Sequence, residues 1–109
     1  MAIVAASLAT GQLPSGASAI LYTSAAKSYV KAIILNNQGA TAQTVVIYFK
    51  RASGGDTQKT IFRAVLALGE TGYAVDKDSA LSMSAGDKIE GLATTATQVD
   101  YVILGATEA

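Results

Sequence analysis

Leu81-Ser82-Met83-Ser84-Ala85-Gly86-Asp87-Lys88-Ile89-Glu90-Gly91 is the stretch that decides the fold class. Apolar residues alternate with polar ones up to Met83, Ala85-Gly86-Asp87 reverses the chain, and the alternation resumes at Ile89. A period of two marks a strand with one face buried. Glycine supplies the positive φ of a tight turn, and aspartate accepts hydrogen bonds from the turn backbone. The stretch therefore predicts a β-hairpin in which Leu81, Met83 and Ile89 face a core and Asp87 shapes the turn.

Outward from this point the same signals recur at short, even spacing. Ala19–Thr23 predicts a strand, and Ser28–Asn36 a second, nearly apolar on both faces and hence central. Asn36–Gly39 predicts a turn. Thr44–Lys50 is β-branched and aromatic throughout, with Val45, Ile47 and Phe49 expected inside and Val46 and Tyr48 on the other face. Ser53-Gly54-Gly55-Asp56 predicts a hairpin turn. Lys59–Ala67 follows as a strand, although Phe62, Val65, Leu66 and Gly69 also fit a helical stripe. After the turn at Leu68–Gly72 come a short strand, Tyr73–Val75, and the polar connection Asp76–Ser79. Gly91–Thr94 extends the second arm of the predicted hairpin, and Thr95–Thr97 turns the chain. Gln98–Gly105 closes it, with Val99, Tyr101 and Ile103 as the core face.

About eight short strands with turn signals between them predict an all-β antiparallel β-sandwich. A jelly-roll-like order is expected for its two sheets, an immunoglobulin-like sandwich being the alternative. The sandwich domain covers residues 17–109. Residues 1–16, punctuated by glycine and the single proline, predict an extended N-terminal arm. Ile3, Val4, Leu8 and Leu13 are too apolar for a free tail, so the arm is expected to pack on its own domain or on a neighbouring subunit.

Half of the 109 residues are hydrophobic but only 6% are aromatic and none is tryptophan, so the core is built from Ala, Val, Ile and Leu. Charged residues make up 15%, eight basic against eight acidic, which suits a subunit whose faces are covered by partners. A nucleic-acid binder normally carries a basic surplus, and this chain has none. No disulfide or thiolate site can form without cysteine, in keeping with folding in a reducing cytoplasm. The opening nine residues are apolar but lack the positive segment of a signal peptide, and no stretch is long enough to span a membrane.

Catalytic chemistry has little to work with. Histidine and cysteine are absent, which removes the commonest general base, the thiol nucleophiles and most transition-metal sites. Ser28 with Lys31, or Ser84 with Lys88, would be the serine-lysine dyads, but neither lies in a motif that holds such a pair. Asp76 and Asp78 could open a calcium loop, yet the glycine and glutamate that complete one are missing. Gly54-Gly55 and Gly86 are turn glycines without the lysine and helix of a phosphate loop. Neither a cofactor nor a metal is expected. Lys50 and Arg51, with Lys59 across the same hairpin, form a small basic spot near Tyr48, suited to solvent or to a subunit contact.

Several of these segments together resemble the small β-sandwich proteins of tailed-phage particles, the group of capsid decoration or cement proteins and tail-associated modules. They are Leu21-Tyr22-Thr23, Tyr29-Val30-Lys31-Ala32-Ile33, the Asn36-Asn37 turn, Val45-Val46-Ile47-Tyr48, the Leu81–Gly91 stretch and Val99–Gly105. The resemblance runs from Ile20 to Gly105 and implies a non-enzymatic virion structural protein, made in the host cytoplasm and bound to the outer capsid surface. Its implied partners are the major capsid protein and itself, as a homodimer or homotrimer, with no nucleic acid and no membrane. Ile3, Val4, Leu8, Leu13, Tyr48, Lys50 and Arg51 are the candidate contact residues. The alternative is a tail-fibre, spike or other recognition module that binds a receptor or glycan through its tyrosines and loops; the scarcity of aromatics weighs against it.

Overall fold

The computed structural model describes residues 3–52, 57–76, 78 and 80–108. Among them are nine strands and no helix. They are β1 (Ile3–Gln12), β2 (Ala19–Thr23), β3 (Ser28–Asn37), β4 (Gln43–Lys50), β5 (Lys59–Leu66), β6 (Thr71–Val75), β7 (Leu81–Met83), β8 (Lys88–Ala93) and β9 (Val99–Glu108). The alternation in β4 shows why they stack in layers. Val45 and Ile47 are fully buried and Phe49 packs against the core, so Thr44, Tyr48 and Lys50 point the other way.

The first sheet runs β1-β9-β3-β6, with β7 sharing the far side of β3, and the second runs β2-β8-β4-β5. Every pairing is antiparallel, and the pairs nest: β4 with β5, β3 with β6 and β7, β2 with β8, β1 with β9. Folding the chain as one long hairpin and winding it into two layers produces that nesting. Consecutive strands consequently tend to lie in opposite sheets. Among the described strands, β4 and β5 alone are both adjacent in sequence and paired. The two sheets form the β-sandwich expected from the spacing of strand signals, with Ile33, Leu35, Ile47, Ile89, Val99 and Ile103 sealed between them.

The hairpin expected at Leu81–Gly91 is not formed. Its first arm, β7, pairs with β3 in the first sheet; its second, β8, lies between β2 and β4 in the second. Met83 and Ile89 still face one core, but from opposite layers. Alternation states which side chains are buried and is silent on which strand lies alongside. The turns at 36–39, 68–72 and 95–97 likewise carry the chain between sheets. Lys59–Leu66 is a strand, paired with β4 from Gln43↔Leu66 to Phe49↔Lys59, and the helical stripe at Phe62 and Leu66 is its buried face. The glycine turn at Ser53–Asp56 lies outside the described residues.

Residues 3–12 of the N-terminal segment are extended and belong to the first sheet as β1, paired with β9 from Ile3↔Glu108 to Gln12↔Asp100. Leu13 follows it into the core, 1% exposed, where its N–H donates to the Val99 carbonyl at 2.9 Å. Opposite Gly11 stands Tyr101, whose ring covers the bare backbone; a Cβ on Gly11 would lie 2.9 Å from the tyrosine hydroxyl. Burial raises the Tyr101 pKa above the ordinary tyrosine value, because the phenolate would lose its hydration. The folded state then holds this proton more tightly than the unfolded chain. The associated stability is complete below the unfolded value of about 10 and is lost as pH rises through the higher folded value. Urea titrations from pH 8 to 11.5 should therefore show the wild type weakening above pH about 10 relative to Tyr101→Phe, with parallel curves below it.

Candidate functional site

Asp87 is a buried, well-connected polar group at the end of the sandwich where the chain passes from β7 to β8. Its side chain is 7% exposed. Oδ1 accepts from the Ala52 N–H and Oδ2 from the Ser84 N–H, both at 2.9 Å. Its carbonyl accepts from the Ser24 N–H at 2.9 Å, and the Gly86 N–H donates to the Ser24 carbonyl at 2.7 Å. Gly86 carries the positive φ of 88° that lets the turn present these groups. One residue thus ties the β2–β3 connection, the start of the β4–β5 loop and the β7–β8 turn. Two backbone amides donate to the carboxylate, an arrangement that helps to hold a buried anion. Next to it Ser24 and Ser28 share a hydrogen bond of 2.6 Å in the interior.

The loops so joined carry Lys27 and Arg51, and Lys88 opens β8 immediately after Asp87. Lys88 stands directly opposite Lys50 across the β8–β4 pair, and both point away from the core because Ile89 and Phe49 point into it. In the next rows of this outer face Tyr48 pairs with Glu90, and Val46 lies between Leu92 and Arg63. Val46 is 3% exposed although it lies outside the main core, so its outer-face neighbours cover it. Glu90 is also buried; its Oε1 accepts from the Gln58 amide, which donates again to Ser18 Oγ at 2.7 Å. Gln58 thereby connects the two flanks of the second sheet over its polar centre.

Of the residues expected to make contacts, Tyr48, Lys50 and Arg51 come together at this corner, the first two half-buried and Arg51 exposed. Ile3 and Val4 begin β1, opposite Glu108 and Thr107. Leu8 sits at the β1 bulge and packs partly against the core. Leu13 is a correction: it fills the sandwich interior and presents nothing to a neighbour, because the chain turns inward there to close the layers. The Ser28–Lys31 pair is not assembled either. Ser28 is buried against Ser24 while Lys31 is exposed, and the Ser84 N–H serves the Asp87 carboxylate. Asp76 Oδ1 accepts from the Asp78 N–H at 2.9 Å, an aspartate turn.

Two features escaped the sequence. The Lys50–Lys88 opposition joins residues from strands far apart in the chain, and Glu90 gives no local sign of burial. Asp87 was visible as a turn former, but its bond to Ala52 was not. Among the described residues there is no pocket and no group of three or more histidine, cysteine or carboxylate side chains placed to hold a metal ion. Compared with known proteins, the chain matches no family model, no curated protein and no solved structure.

Proposed function

We propose that this is a non-enzymatic structural protein of a tailed-phage particle, a decoration or cement protein that binds the outer shell as an oligomer and clamps neighbouring capsomers. The observation that supports it most is the strand order. The sheets β1-β9-β3-β6 and β2-β8-β4-β5, with β7 beside β6 on β3, support a jelly-roll-like reading of the sandwich, an architecture used by viral shell proteins and also by lectins and cupins. The resemblance of Ile20–Gly105 to phage sandwich proteins favours the shell among these. The outer faces support the same reading. Ile34, Val102 and Leu104 are half-buried on the outside of the first sheet beside Tyr73, which is 56% exposed, a patch suited to like subunits. A clamp stabilises a shell by adding buried area between capsomers and by binding at several points at once.

Mixing the purified protein with undecorated, expanded capsids tests this. It should co-sediment with them and raise their resistance to heat or osmotic shock. Failure to co-sediment, together with binding to cells or glycans, would replace the reading with a recognition module. Deleting residues 2–13 is a poor way to find the contact, because it removes β1 and the buried Leu13 together. Point substitutions on the outer faces are the cleaner probe.

A further inference from the structure

We infer that the outer face of the second sheet is the docking surface, and that its partner is a protein surface bearing carboxylates; the inference rests on the proposed role as a shell-binding protein. Charge placement carries it. Lys50 and Lys88 stand side by side across the β4–β8 pair, and Arg63 lies two rows away on β5, opposite Val46. Like charges directly opposite each other weaken an antiparallel pair. A chain with balanced charge has no need to concentrate cations here, so the arrangement makes physical sense where an anionic partner relieves it.

The single carboxylate among these rows, Glu90, is 8% exposed and engaged by Gln58, so it neither neutralises the face toward solvent nor repels an acidic partner strongly. Apolar side chains lie between and beside the cations, around the Glu90–Gln58–Ser18 hydrogen bonds. Tyr48 and Leu92 are half-buried, Ile20 is 55% exposed and Val65 64% exposed. Exposed apolar side chains mixed with an aromatic residue, satisfied polar groups and cations suit a protein–protein interface. A nucleic acid would ask instead for cations in a continuous track along its phosphates, and would set Ile20 and Val65 against them. The face is also held firm: the Asp87 carboxylate anchors Ala52, just beyond Lys50-Arg51, and Lys88 follows Asp87 directly.

The experiment measures binding of the wild type and of Lys50→Ala/Lys88→Ala to three probes: undecorated capsids, immobilised poly-L-glutamate and double-stranded DNA, each between 50 and 500 mM salt. Wild type should bind capsids in a salt-dependent manner, and the double variant about tenfold more weakly, mainly through a slower on-rate. The variant should melt at the wild-type temperature or slightly above it, since it relieves the repulsion. Lys88→Glu should weaken capsid binding further, and poly-L-glutamate should compete with capsids where DNA at equal charge does not. Capsid binding that ignores salt and both variants would overturn the inference and leave the proposed function standing. Failure on capsids with lysine-dependent binding to poly-L-glutamate would do the reverse. Preference for DNA, or a marked drop in melting temperature for the double alanine variant, would also overturn it, showing a nucleic-acid face or a structural role for the lysines.

Discussion

Gly105→Ala should be the most damaging single-methyl change in this protein, with an expected loss of about 3 kcal/mol or more. Gly105 lies in β9, the strand between β1 and β3, paired with Ala6 on one side and Val30 on the other. Around Val30 and Ala32 the register of β3 shifts, and a Cβ on Gly105 would overlap the Tyr29 carbonyl oxygen. Leu8 Cδ1 closes the remaining space at 3.1 Å. Because β9 is an interior strand, it cannot relieve the clash by moving outward as an edge strand could. Relief requires parting β9 from β3, and with it the layer that holds Ile33 and Ile103. Urea denaturation at 25 °C checks this, with Gly16→Ala as the comparison. Gly16 has a φ of 83° but open space around its Cβ position, so only the backbone penalty of about 1 kcal/mol applies. Equal losses for the two variants would refute the close-approach argument.

Asp87→Ala should follow closely, at about 3 kcal/mol, because the Ala52 and Ser84 amides lose a charged acceptor and one side of the β7–β8 turn comes free. The penalty is dominated by the two donors that lose a charged acceptor in part-buried hydrogen bonds. Asp87→Asn retains one carbonyl oxygen but sets its NH₂ toward the other amide, and should lose roughly half as much. Amide hydrogen exchange gives the local readout. Protection at Ala52 and Ser84 should fall in the alanine variant by more than the global loss accounts for. Unchanged protection at Ala52 would mean that the β4–β5 loop is held by something else. The same variants bear on the docking face, since a released loop would let Lys50 and Arg51 wander and lower the affinity for capsids.

Much of the fold was legible because its strands alternate cleanly. Ala19–Thr23 matches β2 at both ends, and Val99, Tyr101 and Ile103 are the buried face of β9 as their spacing required. Val45, Ile47 and Phe49 point inward for the same reason, each flanked by residues a sandwich can leave outside. β1 was less legible, since Ala5-Ala6-Ser7 and Thr10-Gly11 alternate weakly and glycine disfavours a strand interior. Tyr101 covers that glycine from β9, compensation that the N-terminal sequence does not contain. Of the candidate contacts, Tyr48, Lys50 and Arg51 were recognisable as a basic spot beside a tyrosine. Lys88, which adds a third charge beside Lys50 and Arg51, comes from another strand.

The sequence by itself determined that the chain is an all-β sandwich, where most strands begin and end, which side chains enter the core, and that no histidine or thiol chemistry is possible. The tertiary structure decided the partners. It separated the two arms of Leu81–Gly91 into different sheets, drew Ile3–Gln12 into the first sheet beside β9, and set Lys88 against Lys50. Burial alternates within a strand and is written in a few consecutive residues. Pairing joins residues distant in the chain and is settled by the fit of whole layers, which no local stretch encodes.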